Sequence, residues 1–161
     1  MITATAELKE KFGPAIGKIA SGVHIVTTAK DGKNDGMLAT WIAQAGFEPP
    51  SLVVSVNKQR DLLKSLAVGD KFTVNILSKG NMDIFKAFAK PHNEGKFEGL
   101  NTRTTAGGPA FTDAVSYMCA AVKSITEAGD HVVVLGEIFD GELLNGEAEP
   151  MIHIRKNGFQ Y

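Results

Sequence analysis

Asn57, Lys58 and Arg60 place an amide and two cations within four residues, directly after the apolar run Leu52–Val56. The polar stretch reads as the start of a helix over Leu62–Val68, closed at Gly69. Helix N-termini carry unpaired N–H groups, so cations beside one suit an anion such as a phosphate. A solvated helix entry uses the same residue types. In Gly129-Asp130-His131 an imidazole follows a Gly-Asp turn at the start of a strand. From there His131 can project from a barrel rim to orient a ligand ring or assist proton movement. The plainer alternative is a turn whose Asp caps the backbone. Lys90, Lys96 and Phe97 fall in a long segment without periodicity, Lys90–Ala114. A loop of that length in a compact domain is commonly functional or ordered by a partner. Lys96 can reach the same anion there and Phe97 can fold over a ring, although surface lysines commonly do neither.

The stretch GMLATWIAQAGFEPP, Gly36–Pro50, supplies a surface for these groups. It reads as one extended strand, entered through a glycine and closed by Pro49-Pro50, which donate no N–H to a ladder. Gly36, Ala39, Ala43, Ala45 and Gly46 present little bulk, so a flat ligand can approach the backbone. Trp41 is the only indole of the chain. A core strand that packs closely on a neighbour shares this composition.

Other chemistries lack their signatures. GxGxxG after a first strand, a Walker loop and a nucleophile elbow are all missing. His24, His92, His131 and His153 match no zinc spacing, and His24 and His153 read as structural residues within strands. Cys119 stands alone, so no intrachain disulfide forms. A net charge of −1 excludes the basic excess that nucleic-acid binding requires. No apolar run reaches membrane-spanning length and no signal-peptide pattern opens the chain, so the expectation is a cytoplasmic protein. The 161 residues, 43% of them apolar, suffice for a single domain over 1–161.

The remaining elements must position these groups. Leu8, Phe12, Ile16 and Ile19 have helical spacing, with a kink or a division into two short helices expected at Pro14 and an end at Gly22. Val23–Ala29 is β-branched and extended, and Asp31-Gly32 signals a hairpin. Phe72–Leu77 alternates as a strand, and Met82–Ala89 is an amphipathic helix. Val115–Thr126 and His131–Leu144 are two long strands joined at Ala128-Gly129-Asp130, and Ile152-His153-Ile154 is a last one. Six or seven strands, mostly hairpin-linked, with two or three helices predict a mainly β fold, an antiparallel barrel with helices packed outside.

Taken in order, these segments resemble the flavin reductase-like family, the FMN-binding split barrels. The resemblance is carried by Ser21-Gly22-Val23-His24-Ile25-Val26-Thr27-Thr28, the Gly36–Pro50 stretch, the run from Gly69 to Leu77, Lys96-Phe97, and Gly129-Asp130-His131 followed by Gly136. Met37-Leu38-Ala39-Thr40-Trp41 before Gln44, and an aromatic end after Arg155-Lys156, are most similar to the C-terminal flavin reductase module of cyanobacterial diflavin flavoproteins. The resemblance implies a Greek-key-like split barrel and a homodimer with FMN, or FAD, in a groove near the subunit interface. It implies NADH or NADPH as reductant. Leu38, Ala39, Thr40, Trp41, Ile42, Ala43 and Gln44 would line the flavin ring, with Thr40 and Gln44 adding side-chain bonds. Asn57, Lys58, Arg60 and Lys96 would hold its phosphate, Phe97 would cover the ring, and His131 would sit by the nicotinamide or the flavin edge. Leu38, Ala43, Ala45 and Gly46 stand where the family is often polar, so backbone groups would carry more of the flavin binding. The implied activity is an NAD(P)H:flavin oxidoreductase. The alternatives are a flavoredoxin-like FMN carrier serving a protein electron acceptor, or the electron-input module of a larger flavodiiron-type flavoprotein.

Overall fold

In the computed structural model, residues 3–90 and 95–161 are described; His92 lies outside them. A seven-stranded antiparallel sheet dominates, with strands ordered β3-β2-β6-β9-β10-β5-β4. These are β2 (His24–Lys30), β3 (Lys33–Ala39), β4 (Ile42–Phe47), β5 (Pro50–Asn57), β6 (Lys71–Ile76), β9 (Ser116–Ala128) and β10 (His131–Leu143). Its two edges, β3 and β4, are consecutive in the chain and joined only by Thr40-Trp41. A flat sheet would hold such edges about 29 Å apart, six gaps of about 4.8 Å. The three steps from Ala39 to Ile42 reach about 11 Å at most. The sheet must therefore curl, and it does so into a barrel with a seam between β3 and β4.

The interior fills with Val26, Met37, Leu52, Val54, Phe72, Val74, Val122, Val132 and Val134, all buried. The β5–β6 connection crosses one end of this barrel, where Leu62 and Leu66 join the core. A second cluster lies outside the wall. There α2 (Met82–Ala89) sets Ile84 and Phe88 against Val23, Ile25, Leu77 and Phe111. Small two-stranded ladders, β1 (Ser21–Gly22) with β11 (Ile152–His153) and β7 (Thr102–Arg103) with β8 (Ala110–Phe111), complete the strands.

Several sequence expectations need correction. Gly36–Pro50 is two strands rather than one: the chain turns at Thr40-Trp41, and Glu48-Pro49 forms the turn of a β4–β5 hairpin in which Phe47 pairs with Pro50. Proline thus opens β5 at a sheet-end position instead of ending a ladder. Helix α1 (Ala6–Gly17) runs through Pro14 unbroken and ends at Gly17, while Gly22 belongs to β1. Only Gly13 and Gly17 of α1 are buried; Phe12 and Ile19 are exposed. The expected helix after Asn57 is a single 3-10 turn, Asp61–Ser65, whose capping residue Arg60 makes no side-chain cap bond. Five residues leave no N-terminus to hold an anion, so any anion there must be met by side chains. The segment read as one irregular loop contains β7 and β8.

Other elements follow the sequence closely. Helix α2 has the expected bounds, the β9–β10 hairpin turns at Gly129 (φ 69°), and Asp31 (φ 51°) and Gly32 (φ 74°) form the β2–β3 turn. Positive φ at both central residues matches the right-handed twist of the flanking strands.

Candidate functional site

The barrel seam is also where a cleft of about 380 Å³ opens. Its floor is Met37-Leu38-Ala39-Thr40-Trp41, the end of β3 and the corner that follows. β3 has a ladder partner on one side only. Alternate N–H and C=O groups of an edge strand therefore point away from the sheet, where a ligand can meet them. The corner is held in place from behind. Trp41 O accepts from the Ser55 N–H at 2.9 Å, and His24 Nδ1 lies 3.1 Å from Ala39 O. His24 is buried, and burial pushes its imidazole below the usual histidine range against the opposing backbone bond to Ala39. It is a structural residue, as its strand position suggested.

One wall of the cleft comes from α2: Phe85, Phe88 and Ala89, at helical spacing. A Cβ on Gly36 would sit 2.7 Å from the Phe88 ring, so glycine there lets α2 approach β3. Asn57 and Arg60 stand at the end of β5 and just beyond it. Arg60 also lines a small adjoining hollow of about 90 Å³ together with Lys96, Asp35 and Gly36. Lys96 is held below the usual lysine range, first by burial and further by the Arg60 charge, with Asp35 opposing. Two neighbouring cations, one of them partly desolvated, make a place where an anion relieves both costs.

At the other end the cleft joins a hollow of about 410 Å³ that shares Trp41, Ser55, Asn57, Arg155 and Tyr161 and adds Asp130 and His131. His131 lies against Trp41 with ring centroids 4.9 Å apart and the planes tilted by 37°. Its Nδ1 is 2.8 Å from Asp130 Oδ1, and its Nε2 is 2.9 Å from the Tyr161 hydroxyl. The His131 bond holds the Asp130 carboxyl below the usual carboxylate range. An ionised carboxylate only accepts, so Nδ1 carries a proton, and in the neutral ring that leaves Nε2 to accept from the phenol.

Of the residues singled out in sequence, Leu38, Ala39, Thr40, Trp41, Asn57 and Arg60 thus line one cleft, with Lys96 and His131 at its two ends. Others stand apart. Ile42 packs on the barrel core. Ala43 and Gln44 lie exposed on the edge strand β4. Lys58 pairs with Glu127 and turns away. Phe97 stacks on Phe111 and meets Phe88 edge-on, so it buttresses the α2 wall. Ser55, Phe85, Phe88, His153, Arg155 and Tyr161 were missed. The helical spacing of Phe85 and Phe88 was a usable signal for the wall. His153, expected to be structural, is exposed on the two-residue strand β11, too short to enclose it.

A split antiparallel barrel with this cleft at its seam is the fold of flavin reductases. The NADH:FAD oxidoreductase SgcE6 of Streptomyces globisporus superposes with a TM-score of 0.83 at 23% identity, over 96% of this chain and 92% of its own. Flavin reductase PheA2 superposes with a TM-score of 0.75 at 27% identity, over 88% and 90%. The chain belongs to the flavin reductase-like family: residues 16–160 match the model described as the flavin reductase like domain. Among curated relatives, diflavin flavoprotein A 1 of Synechocystis sp. is 38% identical over 151 residues, 91% of this chain. The chain spans about a quarter of the length of that relative, 26%.

The residues present fit a phosphorylated flavin. The cleft volume is that of a small-molecule site. A main-chain edge suits the polar rim of a flat ring, and the Arg60–Lys96 pair suits one phosphate.

Proposed function

We propose that this domain is an NAD(P)H-dependent flavin reductase that holds FMN in the seam cleft and passes hydride from nicotinamide to flavin. The observation that carries this reading is the sequence of chemistry along one cleft: cations at one end, a bare main-chain edge in the middle, and an oriented imidazole at the other. Bound flavin supplies the hydride-accepting ring. The chain's own residues hold and expose that ring. Leu38–Trp41 offer backbone groups to its polar edge, and Thr40 adds a hydroxyl. Arg60, Asn57 and Lys96 take the phosphate. Trp41 and His131 define the nicotinamide end, and His131 orients the incoming ring. No acid–base dyad is required, because hydride transfer needs proximity and exclusion of side reactions more than proton shuttling.

The test is the visible spectrum of the purified protein with FMN, followed by NADH or NADPH without oxygen. Flavin bands that bleach with the dinucleotide support the reductase. A yellow protein that neither dinucleotide bleaches supports a flavoredoxin-like carrier instead, and a protein that ignores FMN sinks both. A second reading, the electron-input module of a larger flavodiiron-type flavoprotein, is favoured by the 38% identity to diflavin flavoprotein A 1. The reaction of this domain is the same in that setting and only its acceptor changes.

A homodimer fits the surface. Phe47, 87% exposed, ends the edge strand β4, and Phe12 and Ile19 of α1 are also bare. A second copy here would enclose Ala43 and Gln44 and bring them back toward a shared site. Sedimentation velocity at micromolar concentration should give a dimer; a monomer overturns this arrangement.

A further inference from the structure

Residues 155–161 cross the face of the site and end in a ring laid against it. Arg155 is 8% exposed, and its guanidinium lies over Trp41 at 5.0 Å. Its Nη1 donates to Gly158 O at 3.0 Å and Gln160 O at 3.2 Å. The segment is fastened to α1 by Arg155 N–H to Gly17 O, 3.1 Å, and by Gly158 N–H to Gly13 O, 2.7 Å. A Cβ on Gly17 would stand 2.6 Å from Arg155 O, so this glycine is what lets the segment lie on the helix. The stretch up to Gly158 is thus anchored.

Tyr161 beyond it is different. It is 73% exposed, yet it lines both hollows. Its ring centroid is 5.8 Å from Trp41, and its hydroxyl is bonded to His131, which is only 7% exposed. A planar ring therefore lies beside the indole, tilted by 36°, and bonds the second nitrogen of the imidazole, while most of its own surface remains in water. Such a cover costs little to displace. We propose that Tyr161 stands in the resting protein where the nicotinamide ring must come, and that NAD(P)H enters by exchanging places with it. This rests on the reductase reading of the site. The chemistry of the exchange matches. A nicotinamide is planar, and its carboxamide N–H₂ can donate to His131 Nε2 as the phenol does. The exchange releases the Tyr161–His131 bond, the contact with Trp41 and the Gln160–Arg155 bond. The anchor up to Gly158 stays in place.

A closed gate reduces apparent affinity by the fraction of protein that is open. Tyr161→Ala in the FMN-loaded protein should bind oxidised NAD⁺ or NADP⁺ about fivefold more tightly than the wild type, as expected if roughly one good hydrogen bond holds the gate shut. Tyr161→Phe keeps the ring and loses the hydroxyl that makes this bond, so it should recover most of the same gain. The ring resonances of Tyr161 in the wild type should shift to those of a solvent-exposed tyrosine when the dinucleotide is added. Tyr161 contributes no core packing, so a loss of fold would not mimic this tightening. Equal or weaker binding by Tyr161→Ala, or ring resonances that do not move, overturns the gate and leaves the reductase reading standing. If neither protein binds either dinucleotide while both still bind FMN, the gate and the reductase reading fail together.

Discussion

Arg60→Ala combined with Lys96→Ala is expected to weaken FMN about a hundredfold while leaving riboflavin within about twofold, since each charge-assisted bond to a phosphate contributes about 1.5–3 kcal/mol. The two side chains meet in one small hollow beside the cleft, Arg60 also lining the cleft wall, and neither lines the hollow beyond Trp41. Riboflavin lacks the phosphate and loses only what Arg60 contributes along that wall. Lys58→Ala should change FMN affinity by less than about twofold, because Lys58 is engaged with Glu127 and screened by solvent. Flavin fluorescence titration of the variants with both ligands checks this. Equal losses for FMN and riboflavin would move the phosphate elsewhere.

Phe111→Ala should cost about 3–5 kcal/mol of stability, the usual range for emptying a buried aromatic site. The ring is fully buried, with Phe88 edge-on at 5.6 Å and Phe97 stacked at 6.0 Å. Its backbone N–H is taken by Asn75 Oδ1 at 2.8 Å, which fixes the residue even when the ring is gone. Removing the ring loosens two things at once: the α2 wall through Phe88, and the arm that carries Lys96 through Phe97. FMN and riboflavin should therefore both weaken, unlike the pattern for the cation variants. Urea unfolding with an unchanged slope is the measure of stability. A loss below about 1 kcal/mol would show that the cluster refills the space.

The sequence was most legible where one local rule acts alone. Asp31-Gly32 and Gly129-Asp130 fixed two hairpins, and the Ile84–Phe88 spacing fixed α2 to its bounds. It was least legible where tertiary geometry overrides a local reading. Nothing in LATWIAQ marks the corner at Thr40-Trp41, because the break is imposed by closing the barrel and not by a breaker residue. The reading of one continuous strand therefore carried Ala43 and Gln44 along with the true lining. The apolar stripe of α1 suggested a core face, but the helix uses two glycines to receive residues 155–158, leaving Phe12 and Ile19 outside. Arg155 and Tyr161 reach the site from over a hundred positions beyond Trp41, a juxtaposition that no spacing rule encodes. Family resemblance named Lys58, Arg60 and Lys96 alike; only the structure shows that Arg60 and Lys96 share a hollow while Lys58 pairs with Glu127.

The edge strand at the seam has a consequence for how such a site changes over generations. A rim read by main-chain groups does not record which side chains hang from it. Mutation at Leu38 alters bulk and hydration, yet the pattern of amides survives as long as the corner holds its shape. Selection is then felt as a limit on size at Gly36 and Ala39 and as a demand on the residues that pin the turn from behind, Ser55 and His24. On the proposed reading, the side chains around the ligand can change widely while the main-chain contacts persist.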